Sequence, residues 1–261
     1  MRPPISWSYR NCELFHGRFI ATLNEKGPFD LIFTSPPYNI GSKCPAILGE
    51  RKNGGKDTKS FGSIRDYPDS LPEDEYQQSQ KGFLVWSARH LTDNGVLVYN
   101  HKIRRKNGSM VFPHEWFPPD NVLHKIDFIV WNRKSTHNHC PGFCYDTCEF
   151  LYVFCKPGAK YCFNNIGGIG ARSVWDDIFK ASKKESNGHN APFPGKLADR
   201  VLSIWSKEGD LVCDPYSGSG TTMKSAYRLG RNFIGSEKEL KYFHNSVQSF
   251  QDMIDSRRIS E

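Results

Sequence analysis

The feature that most constrains the fold is the segment FDLIFT at residues 29–34, which is apolar at nearly every position. A strand with one face in water alternates apolar and polar residues, so this run predicts a strand covered on both faces, as in a parallel sheet between helices. Two prolines follow after Ser35 and end the strand, because proline lacks the N–H donor of a ladder. Ligand sites in such sheets lie beyond the carboxyl ends of strands, where we expect the functional site.

Helical and strand-like segments alternate along the rest of the chain, which is typical of an α/β fold. We expect a turn at Asn94-Gly95, between the first long helix and the strand that follows it. The expected helices are 71–90 and the segment after Pro194, and the expected strands include 96–100, 125–131, 150–154 and the residues before Asp214. We predict one domain over residues 1–261, carrying small inserts.

Composition narrows the class of protein. Lys and Arg number 35 against 28 Asp and Glu, and the formal net charge of +7 favours a polyanionic partner. The 38% hydrophobic and 13% aromatic content excludes disorder of the whole chain. No stretch approaches the roughly 20 apolar residues that span a bilayer, so no membrane partner is expected. Eight cysteines without a CxxC pair indicate reduced thiols and an intracellular compartment.

The tetrapeptide Ser35-Pro36-Pro37-Tyr38 is the first candidate site. Consecutive prolines hold the backbone in a rigid extended turn, which fixes the positions of hydrogen-bond acceptors. Ser35 Oγ and the Pro36 carbonyl can accept the two N–H bonds of an exocyclic amino group, while the ring of Tyr38 offers a face for stacking. This combination suits a flipped nucleobase. For the tetrapeptide alone, a proline turn with a packed tyrosine is an equally good interpretation.

The loop Asp214-Pro215-Tyr216-Ser217-Gly218-Ser219-Gly220-Thr221-Thr222 is the second candidate site. Its glycines allow close backbone approach, and it opens a helix whose first amides can hold an anionic group. It lacks the third glycine of a dinucleotide fingerprint and the Gly-Lys-Ser/Thr of a phosphate loop. We expect Asp214 to meet a cationic ligand amine. Glu237, after the next apolar strand, is expected to bind ribose hydroxyls, with helix capping as the alternative.

Four motifs in order resemble the β class of amino-group DNA methyltransferases, in which the catalytic motif precedes the cofactor motif. They are TSPPYNIG at 34–41, HNAPFP at 189–194, DPYSGSGTT at 214–222 and FIGSEKE at 233–239. The resemblance implies a Rossmann-like class I methyltransferase sheet with helices on both faces. It also implies S-adenosylmethionine as the cofactor, DNA as the partner, and a place beside DNA in the cytoplasm, nucleoid or nucleus.

The resemblance assigns roles to individual positions. Ser35, Pro36, Pro37 and Tyr38 match the catalytic motif. The positions that it assigns to cofactor binding are Asp214, Tyr216, Gly218, Ser219, Gly220, Thr221, Thr222, Glu237, Phe193, Pro194 and His189. The family usually has a Gly-Asp pair after its first short strand, with the carboxylate toward the cofactor adenine, and here the matching pair is Gly17-Arg18.

The reaction that the resemblance implies is direct methyl transfer to an amino nitrogen, with no covalent enzyme intermediate. In the family, serine at the first catalytic position is associated mostly with N4-cytosine and Asp or Asn with N6-adenine. Ser35 therefore predicts a site-specific N4-cytosine methyltransferase of the restriction-modification type, with N6-adenine as the alternative. Arg18 motivates a second alternative, a catalytically silent nucleic-acid-binding subunit, against which the intact Asp214 and Glu237 argue.

Three further regions carry weaker expectations. Residues 42–66, 102–124 and 159–190 are candidate DNA-recognition inserts, whose shortness predicts a short target, low selectivity, or help from a second copy in a homodimer or from an appended partner. The basic run of Lys102, Arg104, Arg105 and Lys106 is expected either to contact DNA phosphates or to be solvated surface. His and Cys residues at 137–148 lack the usual spacing of structural zinc sites, and we expect no metal there.

Overall fold

The computed structural model describes residues 5–40, 69–106, 109–134, 144, 146–182, 185 and 192–260. The strands in these ranges are β1 (Ser6–Tyr9), β2 (Cys12–His16), β3 (Phe29–Thr34), β4 (Leu91–His101), β5 (Arg104–Lys106), β6 (Ser109–Val111), β7 (His124–Asn132), β8 (Cys148–Cys155), β9 (Val174–Trp175), β10 (Leu211–Asp214) and β11 (Asn232–Glu237). The α-helices are α1 (Phe19–Thr22), α2 (Glu73–His90), α3 (Gly195–Trp205), α4 (Thr221–Arg228) and α5 (Leu240–Ser260). Within these ranges every helix is too short or too polar to cross a bilayer.

Nine of the described strands form one sheet in the order β1-β2-β11-β10-β3-β4-β8-β7-β9. The five adjacent strands from β2 to β4 are parallel, whereas β8 runs antiparallel to both of its neighbours and β1 runs antiparallel to β2. Strands β5 and β6 pair separately as a small hairpin. The predicted α/β fold with a largely parallel sheet is confirmed.

Helices cover both faces of the sheet, which explains the uninterrupted apolar run in β3. Leu31 and Phe33 lie in the core that contains the buried residues of α3, α4 and α5. Ile32, which points the other way, lies in the core that contains the buried residues of α1 and α2. All three side chains are fully buried. Both faces of β3 therefore pack in apolar cores, and the strand needs no alternation of apolar and polar residues.

The centre of the sheet holds the point where the strand order reverses. Strands β10 and β3 are neighbours; the chain continues from β10 to β11 on one side and from β3 to β4 on the other. The carboxyl ends of such a pair flank a crevice that commonly binds ligands. Thr34 and Asp214 end the two strands, and Thr34 Oγ1 donates a 2.6 Å hydrogen bond to Asp214 Oδ1.

The predicted turn at Asn94-Gly95 was wrong, because these residues belong to β4. The β3–β4 register passes from Phe29 opposite Leu91 to Leu31 opposite Val96, so the extra residues of β4 form an irregularity within the pairing. A Cβ at Gly95 would lie 2.7 Å from the Phe29 carbonyl oxygen. Glycine is therefore required at this position for close strand approach, and not for a reversal of the chain.

Candidate active site

Side chains from three strands meet at the catalytic tetrapeptide. Ser35 Oγ lies 2.6 Å from the Tyr38 hydroxyl, which in turn donates to Glu149 Oε2 at 3.1 Å. Asn100 Nδ2 donates to the same Glu149 oxygen at 2.9 Å and to the Tyr38 hydroxyl at 3.1 Å. Residues at the end of β3, on β4 and on β8 thus form one hydrogen-bonded network. Ser35 lies at one end of this network and the Glu149 carboxylate at the other.

Arg133 neutralises this carboxylate. Its Nη1 lies 2.9 Å from Glu149 Oε1, and the two side chains are 21% and 11% exposed. Burial, followed by the charge of Glu149, raises the pKa of Tyr38 well above its ordinary value, so the phenol keeps its proton. Asn100 Oδ1 is buried and has no hydrogen-bond partner among the described residues, which leaves one acceptor at the edge of the network.

Tyr76 and His101 support the tetrapeptide from the side of α2. The Tyr76 hydroxyl lies 2.8 Å from the Pro37 carbonyl oxygen and 2.6 Å from His101 Nε2. Burial lowers the pKa of His101 to about 3, so its ring is neutral; Nδ1 carries the proton, since it faces the Lys102 carbonyl at 2.7 Å. The His101 ring packs 4.6 Å from the Tyr38 ring, which stays partly exposed. These contacts fix both the backbone and the aromatic ring of the motif.

Asp214 connects the glycine loop to the end of β3 by hydrogen bonds. Its carboxylate accepts hydrogen bonds from Thr34 Oγ1 at 2.6 Å, Thr222 Oγ1 at 2.7 Å and the Tyr216 amide at 3.1 Å. Burial raises its pKa to about 6, against the lowering effect of those three bonds. Asp214 is 1% exposed, and protein donors engage both of its oxygens. This differs from the expectation that the carboxylate faces a ligand amine.

The glycine loop folds as the sequence predicts. Gly218 and Gly220 have φ values of 51° and 72°, in the left-handed region that favours glycine, and Gly220 is the N-cap of α4. Ser219 Oγ and Thr221 Oγ1 lie 2.9 Å apart at the start of the helix. Ser217 Oγ is buried and has no hydrogen-bond partner among the described residues. A buried hydroxyl without a partner indicates a place where a ligand can supply one.

Glu237 joins the end of β11 to the same loop. Its carboxylate accepts the amide N–H of Gly218 at 2.8 Å and that of Glu239 at 2.7 Å. Burial raises its pKa to about 7, although both hydrogen bonds lower it. The bond to Gly218 crosses from β11 to the glycine loop, so this residue does more than cap α5.

Gly17-Arg18 lies at the same edge of the sheet. The Gly17 amide donates to the Glu237 carbonyl oxygen at 2.9 Å, and Ser236 Oγ donates to the Gly17 carbonyl oxygen at 2.8 Å. Arg18 is exposed, and its charge acts on Tyr216 of the glycine loop. The structure thus brings a cation to the position where the sequence pattern leads one to expect an acid.

The late motif is described in part. The Phe193 ring packs 4.8 Å from the Phe33 ring, and Pro194 is the N-cap of α3, with its carbonyl oxygen accepting from the Leu197 amide. These two positions therefore lie against β3 and at the start of α3. His189 and the proposed insert at 42–66 lie outside the described residues, as does most of the 137–148 segment. Among the residues that the structure does describe, no three potential metal ligands cluster.

The basic run is corrected by the structure. Arg104 is 3% exposed, and its guanidinium donates to both Glu73 oxygens at 2.6 and 2.9 Å, while the rings of Tyr76 and Trp116 lie 4.5 and 5.2 Å away. Lys102 is also buried. The prediction of phosphate contacts was therefore wrong for these two. Alternate residues of a strand face opposite sides, so Arg104 and Lys106 of β5 share one side, where both contact Glu73, and Arg105 faces the other. Arg105 and Lys106 are half-buried.

Sequence reasoning missed Asn100, Glu149 and Arg133. Asn100 carried a usable signal, because it is a polar residue at the carboxyl end of an apolar strand beside β3. Glu149 and Arg133 carried none: they lie on the antiparallel part of the sheet and around its neighbouring loop, and no motif contains them.

Comparisons with known proteins agree with this geometry. The family model N6_N4_Mtase, described as a DNA methylase, matches residues 29–248. The curated type II methyltransferase M2.MboI of Moraxella bovis is 22% identical over 270 residues, which cover 97% of this chain and 92% of that protein. Type II methyltransferase M.BglI of Bacillus subtilis is 35% identical over 115 residues, which cover 42% of this chain. The matched part spans about a third, 32%, of that relative.

Solved structures share the fold. The PvuII DNA methyltransferase, which is cytosine-N4-specific, has a TM-score of 0.72 at 20% identity, covering 93% of this chain and 87% of its own. The putative DNA modification methylase TTHA0409 of Thermus thermophilus, complexed with S-adenosyl-L-methionine, has a TM-score of 0.63 at 23% identity, covering 92% and 93%. The M1.HpyAVI complex with SAM has a TM-score of 0.60 at 20% identity, covering 90% and 97%.

Proposed function

Since this chain belongs to the N6/N4 family of DNA methylases, whose methyl donor is S-adenosylmethionine, we propose that it methylates the N4 amino group of cytosine in DNA. The observation that carries the proposal is Ser35 at the first catalytic position, directly beyond the carboxyl end of β3. Its Oγ is a neutral acceptor for an amine N–H. The likeness in fold to a cytosine-N4-specific enzyme supports the same choice.

The tetrapeptide acts on the amine by hydrogen bonding. The lone pair of an aromatic amine is delocalised into its ring, which makes the nitrogen a poor nucleophile. Ser35 Oγ and the Pro36 carbonyl accept its two hydrogens and favour a tetrahedral nitrogen with a localised lone pair. The partly exposed ring of Tyr38 stacks on the base. Positioning by preorganised dipoles supplies most of the acceleration.

The residues around the glycine loop fit the cofactor. Ser217 Oγ lacks a partner among the described residues, and Glu237 is a buried acid with a pKa of about 7 at the end of β11. We assign Glu237 to the ribose hydroxyls, the first amides of α4 to the carboxylate, and Phe193 with Pro194 to the side that closes over the cofactor. When bound, S-adenosylmethionine supplies a methyl group on a positively charged sulfur.

The reaction product tests this proposal directly. The protein is incubated with unmethylated DNA of high sequence complexity and methyl-labelled S-adenosylmethionine, and the DNA is digested to nucleosides for mass spectrometry. We expect N4-methylcytosine, formed about 100-fold more slowly by Ser35→Ala. N6-methyladenine would refute the choice of cytosine and retain the amine mechanism. No methylated nucleoside from folded protein would refute the activity and favour a silent DNA-binding subunit.

A further inference from the structure

Methyl transfer to an amine leaves a proton to be removed. As the nitrogen–methyl bond forms, the sulfonium–methyl bond breaks and its electron pair stays on sulfur. The nitrogen then carries a positive charge, which it loses with one of its two hydrogens. Ser35 Oγ accepts a hydrogen bond from that amine in the proposed function, on which this inference rests. A serine hydroxyl is neutral and cannot by itself keep the proton.

The contacts behind Ser35 form a directed chain of hydrogen bonds. Glu149 Oε2 is a carboxylate oxygen and only accepts, so the Tyr38 hydroxyl donates to it across 3.1 Å. The single Tyr38 proton is then used, so across the 2.6 Å contact Ser35 is the donor and Tyr38 the acceptor. Asn100 Nδ2 lies 3.5 Å from Ser35 Oγ and engages one of its lone pairs, and the other lone pair is left to face the amine.

The carboxylate at the end of the chain is held in place by two further donors. Asn100 Nδ2 donates to Glu149 Oε2 at 2.9 Å, and Arg133 pairs with the other oxygen at 2.9 Å. Burying a carboxylate is costly unless it is paired, and these contacts pair both of its oxygens. Among the described residues, Glu149 is the carboxylate that contacts the catalytic tetrapeptide.

We propose that Tyr38 and Glu149 carry away the proton of the methylation reaction. One amine proton passes to Ser35 Oγ, the Ser35 hydroxyl proton passes to the Tyr38 oxygen, and the Tyr38 hydroxyl proton passes to Glu149 Oε2. The products are a neutral methylated amine and a protonated Glu149. Tyr38 thus has a second role besides stacking, and Glu149 is a positioning residue that acts through it.

The first test uses the protein without cofactor or DNA. Tyrosine labelled with ¹³C at Cζ reports the hydrogen bonding of the phenol by NMR, and Tyr38→Phe identifies the resonance of Tyr38. We expect Glu149→Gln to shift this resonance and to let Tyr38 ionise at lower pH, because the charge and hydrogen bond of Glu149 both raise its pKa. An unchanged resonance and titration would show that Tyr38 does not donate to Glu149, and would overturn the proposal.

The second test uses single-turnover methylation of DNA. We expect Glu149→Gln and Tyr38→Phe each to lower the rate about 100-fold, as for loss of a proton acceptor. The double variant should be no slower than the slower single variant, because both remove the same chain. Dissociation constants for S-adenosylmethionine and DNA should change by less than about twofold, since only the step after binding is affected.

The control is Asp177→Asn, which removes a carboxylate–arginine pair with Arg200 outside the site. It should keep the wild-type rate, and circular dichroism should show that all variants are folded. If wild type methylates DNA and Glu149→Gln keeps its rate, the relay is wrong and the proposed function stands. If wild type methylates nothing, the proposed function is wrong, and the NMR test still decides whether Tyr38 donates to Glu149.

Discussion

Asp214 holds the glycine loop against the end of β3 at the crevice. Its buried carboxylate accepts from two threonine hydroxyls and one amide, so Asp214→Asn places an NH₂ group against donors that need an acceptor. We expect a loss of about 2 kcal/mol in the free energy of unfolding, measured by urea titration. Asp93→Asn, at a side chain that is 99% exposed, is the control and should leave the midpoint unchanged.

Glu237 makes stability depend on pH. Burial raises its pKa from the ordinary 4.5 to about 7, so the folded cofactor-free protein binds a proton that the unfolded chain releases between these values. The cost of ionising it is absent below about pH 4.5, grows with rising pH and is complete above about 7. Wild type should therefore lose about 3 kcal/mol relative to Glu237→Gln between about pH 4 and 8.

Unfolding titrations of both proteins across this pH range check the prediction. A difference in unfolding free energy that is independent of pH would contradict it, because the lost hydrogen bonds of the Gln variant contribute equally at every pH. Glu115→Gln is the control, since this glutamate is exposed and should leave the pH dependence of wild type in place.

At the scale of single residues, the sequence predicts what lies in contiguous motifs. Ser35 to Tyr38 and Asp214 to Thr222 are short segments whose prolines and glycines have local consequences. Their partners are distant: Glu149 lies 111 positions from Tyr38 and Asn100 lies 62. Single polar residues at such separations form no motif in the sequence. They meet Tyr38 only because β4 and β8 lie beside each other in the sheet.

At the scale of elements, the ion pair between Arg104 and Glu73 connects β5 to α2. Burial alone raises the pKa of Glu73, but hydrogen bonds from Arg104, Gln77 and Lys106 lower it to about 2. Arg104→Gln removes the bidentate partner of Glu73 and leaves it with Lys106 and Gln77, so we expect it to lower the unfolding free energy by about 2 kcal/mol. Thermal and urea unfolding measure this loss.

Arg105→Gln is the matched variant on the same strand, since this residue is half-buried. If DNA passes this hairpin, Arg105→Gln should reduce the slope of log affinity against log salt by about one, while Arg104→Gln should leave that slope unchanged. A reduced slope for Arg104→Gln with unchanged stability would return Arg104 to the phosphate-contacting set.

Elements with strong apolar patterns were predicted best. The strand predicted at 29–34 is β3 with the same bounds, and the helix predicted at 71–90 is α2 at Glu73–His90. The turn at Asn94-Gly95 failed because an Asn-Gly pair serves an irregular strand pairing as well as it serves a reversal. The close approach of the Phe29 carbonyl oxygen on the neighbouring strand explains the glycine here. A local sequence pattern does not show which strand is the neighbour.

At the scale of the whole molecule, the order of strands places the catalytic and cofactor segments together. The two segments are 180 positions apart at Thr34 and Asp214, yet β3 and β10 are adjacent at the centre of the sheet. An alternation of helices and strands predicts a covered sheet but not which strands are neighbours. The resemblance in motif order supplied that information, and the topology confirms the fold that it implied.

Cofactor binding should therefore stabilise the whole molecule. At a concentration about 100 times its dissociation constant, S-adenosylmethionine should raise the unfolding free energy by about 2.7 kcal/mol. Ser217→Ala should raise the stability of the cofactor-free protein by about 1 kcal/mol, because it removes a buried hydroxyl without a partner among the described residues. The same change should weaken cofactor binding about fivefold, since the ligand loses that hydroxyl.

Ser87→Ala separates this effect from any loss of a buried serine. Ser87 is also buried, but its hydroxyl donates to the Phe83 carbonyl oxygen at 3.0 Å, so its removal should lower stability and leave cofactor affinity unchanged. Thermal unfolding with and without S-adenosylmethionine, together with a binding titration, measures both quantities for each variant. The two variants should thus give opposite results, because the hydroxyl of Ser87 bonds a carbonyl of the protein whereas that of Ser217 is expected to bond the cofactor. If both variants lose stability and neither loses affinity, Ser217 has a partner within the protein and does not face the cofactor.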